Sequence, residues 1–137
     1  QDVLEALPAH SIVNVELKSF GDAKHDLVLC EKVAPLVAGR ERLVLSSFSL
    51  EVVRRLVADG LPEPTLIIEQ PRDEAQPGAL ADLGIRGLHL WDGLVEPGAV
   101  EALLGDGLAV GVWTVNDLER RRALVDLGVT RIITDDP

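Results

Sequence analysis

Val13-Asn14-Val15-Glu16-Leu17-Lys18 alternates apolar and polar residues without a break. Successive side chains of an extended strand point to opposite faces. Val13, Val15 and Leu17 therefore share one face, and Asn14, Glu16 and Lys18 the other. In an open α/β sheet both faces pack against helices, and an amide, a carboxylate and an ammonium on one face would be costly to bury unless each were paired. At the C-terminal mouth of a closed parallel barrel that cost disappears, and the same three residues become a site. The stretch thus separates two architectures between which strand counting cannot choose.

Outward from this strand, short β-branched runs alternate with helical patterns. Strands are expected near Ile12–Leu17, Leu43–Ser47, Leu66–Glu69, Gly87–Trp91, Ala109–Val115 and Arg131–Thr134. The intervening patterns predict helices near Leu27–Val37, Leu50–Ala58, Gly78–Leu83, Ala99–Leu104 and Leu118–Leu127, with Asp2–Leu7 reading as the tail of an earlier helix. Gly39, Gly60, Gly84, Gly107 and Gly128 each fall just past a helical pattern, where a left-handed C-cap favours glycine. Pro62, Pro64 and Pro77 read as residues of connections. Strand starts at Leu43, Leu66, Gly87, Ala109 and Arg131 recur every 21 to 23 residues, the size of one strand, one helix and two short loops. Such units build parallel sheets. Six strands suit either an open doubly wound sheet or part of an eight-unit barrel, which needs about 250 residues when whole.

Bulk composition agrees with an α/β domain or part of one. Of 137 residues, 47% are hydrophobic and 26% charged, but only 3% are aromatic, so the core must come from Leu, Val, Ile and Ala. The net charge of -10 argues against nucleic acid and against an anionic membrane surface, both of which need clustered Lys and Arg. A small phosphate-bearing substrate stays open, because a divalent cation held by carboxylates reverses the local field. The single Cys30 lies in an apolar run and reads as a buried thiol. No stretch approaches the roughly 18 apolar residues of a membrane span, and no signal pattern opens the chain. A cytoplasmic location is expected. The chain opens in what reads as mid-helix, so an upstream targeting segment stays open.

The chemistry-bearing residues are few. Glu16 could ligate a hard cation through oxygen while Lys18 neutralises a phosphate oxygen; a plain ion pair at a strand end is the competing reading. Glu69 ends a strand and could point into the mouth. His89 alternates with Leu88 and Leu90 and could face a barrel interior, and both are taken as candidate pocket residues. Trp113 shares a strand face with Gly111. His10 and His25 read as surface residues. Asn116 with Glu119 three positions on has the form of an N-cap with a reciprocal carboxylate, Ser49 reads as an N-cap, and Asp135 and Asp136 read as turn residues before Pro137.

Five segments resemble the glycerophosphodiester phosphodiesterase family, in order and spacing. Val13–Lys18 is similar to that family's strand-three motif and Ser46-Ser47-Phe48 to its strand-four end. Leu88-His89 with Gly93-Leu94-Val95 is similar to its strand-six region, Gly111–Asp117 to the strand-seven signature, and Gly128–Pro137 to the strand-eight ending. The resemblance implies a (β/α)₈ TIM barrel of which this chain supplies about six units, strands three to eight, and lacks the first two. It also implies metal-dependent hydrolysis of a small-molecule glycerophosphodiester to glycerol phosphate and an alcohol. Glu16 would be the third metal-binding carboxylate, for Ca²⁺ or Mg²⁺. Lys18 would be the phosphate-contacting lysine, and Phe48 and Trp113 would be pocket walls.

The family's histidine pair, the arginine beside the first histidine and two metal carboxylates belong to segments this chain does not contain. Leu103-Leu104 stands where a histidine is common. The isolated chain is therefore expected to be inactive. Two other readings remain: a non-catalytic barrel-derived module for ligand binding or assembly, associating through exposed parallel edges, and an acidic doubly wound binding domain.

Overall fold

The computed structural model describes residues 6, 8, 10–73 and 78–137. The chain divides into two compact units, residues 1–64 and 65–137.

The first unit alternates strands and helices: β1 (Val13–Glu16), α1 (Ala23–Val37), β2 (Leu43–Ser47) and α2 (Leu50–Ala58). β1 and β2 pair in parallel, with Val13 opposite Leu43 and Glu16 opposite Ser46. Val13, Val15 and Leu17 pack on a core of Cys30, Val37, Leu43, Leu45, Val52, Leu56 and Leu61. The apolar side of the alternation is thus turned onto the helices. Asp22 starts α1, its carboxylate accepting from the Lys24 and His25 N–H groups, so the helix opens four residues before the expected Leu27. Ser49 caps α2 as expected, by accepting from the Val52 N–H.

The second unit takes up β3 (Pro64–Ile68) from Thr65 onward and continues through α3 (Ala79–Asp82), β4 (Gly87–Trp91), α4 (Pro97–Gly105), β5 (Ala109–Trp113), α5 (Leu118–Asp126) and β6 (Arg131–Ile132). Within it β3 pairs with β4, β4 with β5 and β5 with β6, all in parallel. Leu66, Ile68, Leu88, Val110 and Val112, with Leu80, Val100 and Leu124 from the helices, are sealed from solvent.

All five glycines expected at helix ends have positive φ, between 65° and 91°. A side chain would be strained there, which is why the strand-helix repeat can be read from glycine alone.

Several boundaries differ from expectation. β3 begins at Pro64, not Leu66, because proline is tolerated at a strand's first residue. β6 ends at Ile132: the Thr134 hydroxyl bonds to the Asn116 amide oxygen and accepts from the Asp136 N–H, so the chain turns instead of extending. Asn116 is not an N-cap. Asp117 caps α5, accepting from the Arg120 N–H at 2.7 Å. Pro77, and the helical tail read over residues 2–7 except Ala6, lie outside the described residues.

Candidate functional site

In the first unit the polar face of β1 is open. Asn14 and Lys18 are exposed and Glu16 is partly so. Lys18 Nζ donates to Glu16 Oε1 at 2.9 Å, which brings the two predicted residues together as an ion pair with the ammonium projecting into solvent. Ser46, opposite Glu16 on β2, donates through Oγ to Asn14 Oδ1 at 2.9 Å and fixes that amide. Ser47 points the other way and ties down the end of β1 by donating to the Leu17 carbonyl at 2.7 Å. Phe48, two positions past Ser46, is 40% exposed. A carboxylate, an ammonium, a fixed amide and an aromatic ring therefore stand at the C-terminal ends of two adjacent parallel strands, where α/β proteins place ligands.

A groove of about 380 Å³ in the same unit runs between α1 and α2, with Ser19, Asp26, Cys30, Ser49 and Arg55 among its walls. It includes none of the predicted site residues. Cys30 is 1% exposed, and burial pushes its thiol pKa up, so it is a packed core residue as expected.

In the second unit one face of the sheet carries the remaining candidates. Strand register sets Ile67, His89, Gly111 and Arg131 in one row across β3 to β6, and Trp91 opposite Trp113 in the row above. His89 is 2% exposed, and its ring rests where a Cβ on Gly111 would otherwise stand. Burial, and secondarily the Arg131 guanidinium, lower its pKa to about 4. His89 is therefore neutral at pH 7 and packed inside the unit, not in open solvent, and its Nε2 has no hydrogen-bond partner among the described residues. Trp113 donates from Nε1 to the His89 carbonyl at 3.3 Å, which lays the indole across β4. Glu69 follows β3 and is exposed.

Beyond the strands, Asn116 joins two loops. Its Oδ1 accepts from the Thr134 hydroxyl and the Asp135 N–H, and its carbonyl accepts from Arg121, which also donates to the Asp136 carbonyl. Asp135 and Asp136 thus serve a turn held by side chains. His10 and His25 are exposed, as expected.

Glu16, Lys18 and Phe48 fall in the first unit, and Glu69, His89 and Trp113 in the second. Sequence reading missed Trp91, 46% exposed beside Trp113, and Asp92, which accepts from Arg120 at 2.8 Å. The signal for Trp91 was present: it stands two residues after His89 and so on the same strand face. Asp92 carried none, because its partner lies 28 residues away.

Several solved structures with a similar fold are phosphodiesterases. A glycerophosphodiester phosphodiesterase from Parabacteroides distasonis superposes with a TM-score of 0.76 at 23% identity, over 89% of this chain and 52% of that one. An Oleispira antarctica phosphodiesterase, solved in complex with the product sn-glycerol-3-phosphate, gives 0.72 at 18% identity, over 90% of this chain and 51% of that one. A glycerophosphodiester phosphodiesterase from Agrobacterium tumefaciens gives 0.64 at 25% identity, over 98% and 56%. The chain therefore spans about half the length of these structures, and its parallel α/β fold resembles their TIM-barrel fold. No match was found among curated proteins. The model of the glycerophosphoryl diester phosphodiesterase family matches residues 10–137, and the chain belongs to that family.

Proposed function

We propose that this chain supplies strands three to eight of a (β/α)₈ barrel that hydrolyses glycerophosphodiesters. Water adds to phosphorus, the bond from phosphorus to the alcohol oxygen breaks, and that oxygen takes a proton, giving glycerol phosphate and an alcohol. The observation that carries the reading is the Glu16–Lys18 pair on the open polar face of β1, in a chain whose family model spans residues 10–137.

Lys18 is the catalytic residue assigned here: its ammonium neutralises charge that builds on the phosphoryl oxygens as the bond breaks. Glu16 holds that ammonium in place and can supply one carboxylate ligand to a divalent ion, Ca²⁺ or Mg²⁺. Such ions take about six or more oxygen ligands. No group of three or more His, Cys, Asp and Glu side chains able to hold a metal occurs among the described residues, so Glu16 does not complete a site among them. Phe48, Trp113, Glu69 and His89 are assigned to the substrate side, Phe48 and Trp113 as apolar walls. His89 is assigned there through its carbonyl, which holds the indole.

No helix is long and apolar enough to cross a membrane among the described residues, and the substrate proposed is a small molecule met in the cytoplasm.

The test supplies this chain with the rest of a family barrel and measures release of glycerol phosphate. Activity is expected to require a divalent ion and to fall by about 10²-fold or more in Glu16→Ala and in Lys18→Ala. Unchanged turnover in either variant refutes the assignment. The 137-residue chain by itself is expected to show no turnover.

A further inference from the structure

We infer that the groove between α1 and α2 is a binding site for a free α-amino acid with an apolar side chain, whose ammonium meets Asp26 and whose carboxylate meets Arg55. The inference goes beyond the phosphodiesterase reading and does not rest on it.

The groove has a volume of about 380 Å³, within the range of small-molecule sites. It lies on the other side of β1 from Glu16 and Lys18. Leu17 alternates with those two and packs with Cys30 and Val52, and the same Cys30 and Val52 form part of the groove wall. A ligand held there does not compete for the polar face of β1.

Two opposite charges on the wall are each only partly engaged. Asp26 accepts from the Ser19 hydroxyl through Oδ2 at 2.6 Å, but its Oδ1 is shut off from solvent and has no hydrogen-bond partner among the described residues. An acceptor left in that state is costly, and a donor that reaches it recovers the cost. The torsion that turns a carboxyl group is soft, so Asp26 can present this oxygen to the groove while the Ser19 hydroxyl rotates to follow. Arg55 donates to the two Asp59 oxygens through Nε alone, at 3.0 and 2.8 Å, and its Nη1 and Nη2 groups make no hydrogen bond among the described residues. The two charges also stand near one atom of the wall. After burial, which raises the Cys30 thiol pKa most, Arg55 lowers it and Asp59 and Asp26 raise it.

This arrangement selects a zwitterion. A simple anion would engage Arg55 and leave Asp26 unsatisfied, and a simple cation would do the reverse. Ala23, Leu27, Cys30 and Val52 supply the apolar part of the wall. An aliphatic side chain suits them, whereas a polar one would lose its water there without a partner. By touching Asp26 on α1 and Arg55 on α2, the ligand ties the two helices together.

The ¹⁵N-labelled 137-residue chain is titrated with L-leucine, with 4-methylpentanoate, which lacks the ammonium, and with 3-methylbutylamine, which lacks the carboxylate. Leucine is expected to move the amide resonances of Leu27, Cys30 and Val52 and to bind about 10-fold or more tightly than either analogue. Asp26→Asn is expected to remove most of its advantage over 4-methylpentanoate, and Arg55→Met most of its advantage over 3-methylbutylamine. Absence of leucine binding overturns the inference, as does an advantage over fewer than both analogues or one that both variants keep in full. The three compounds are compared on the unaltered chain, so the comparison decides even where a variant does not fold. Phosphodiester turnover is not read, so failure here leaves the phosphodiesterase reading standing.

Discussion

Gly111→Ala tests how the second unit is assembled. A Cβ at this position would lie 2.5 Å from His89 Cδ2, 3.1 Å from Nε2 and 3.4 Å from Cγ, about 1 Å inside ordinary contact with the ring edge. The imidazole has no easy retreat: it is 2% exposed, and the carbonyl of the same residue holds the Trp113 indole. Forcing a methyl into so closed a space costs about 1–3 kcal/mol. For a chain of this size that corresponds to a fall in Tm of roughly 3–10 °C. The φ of Gly111 is not positive, so alanine suffers no backbone strain, and the steric term stands alone.

Thermal unfolding followed by tryptophan fluorescence measures the effect, and a double-mutant cycle isolates it. In a His89→Ala background the added methyl meets open space, so Gly111→Ala should be neutral or stabilising by up to ~1 kcal/mol. The coupling energy should therefore exceed about 1 kcal/mol. If Gly111→Ala is equally destabilising in both backgrounds, the ring is not what occupies that space, and the assignment of His89 to this sheet face is wrong.

Three further outcomes are expected. Because the folded pKa of His89 is depressed to about 4 from 6.5, the unfolded chain binds the proton first as pH falls. Stability should then drop between pH 6.5 and pH 4, by at most roughly 3 kcal/mol for this group. Urea unfolding at stepped pH should show a slope through pH 5–6.5 that His89→Phe abolishes; a slope that persists in the variant assigns it to other groups. Asp117→Ala should destabilise by about 1 kcal/mol, and Asp117→Ser by much less, because the cap on the Arg120 N–H is what is lost; equal losses in the two variants would exclude capping. Cys30 should resist a thiol reagent in the native chain and react only at the rate of unfolding, and rapid native labelling would contradict its burial.

Local patterns carried most of what was legible in the sequence. The alternation at Val13–Lys18 fixed which side of β1 meets the helices, and the structure seats Val13, Val15 and Leu17 on that core. β2, β4 and α2 have the expected bounds, because each is a run of strong formers closed by a Gly, a Ser cap or a turn. Misreadings fall where a side chain outcompetes the backbone pattern. Asp22 draws α1 back by one turn, Asp117 takes the capping role that its neighbour Asn116 was expected to fill, and Thr134 stops β6. In each case a short polar side chain bonds to nearby backbone or to a partner far along the chain, and residue spacing alone does not tell which of two adjacent candidates does so.

Cross-strand register is the quantity that a single strand cannot show, and the candidate site in the second unit depends on it. Alternation says that His89 and Trp91 share a face, and that Gly111 and Trp113 do, but not that the first pair stands beside the second. Once Gly87 is opposite Thr65 and Gly111 opposite His89, the glycines have a common explanation: each vacates the space that a larger residue on the preceding strand fills. A glycine at 111 then demands a ring at 89, the ring brings its own carbonyl under the Trp113 indole, and that indole leaves Trp91 lying over Gly93. The positions of the two tryptophans are therefore tied to absent side chains at 93 and 111, while the one at 87 makes room for Thr65. Substitution at any of these glycines should disturb the aromatic row before it disturbs the helices that cover the opposite face.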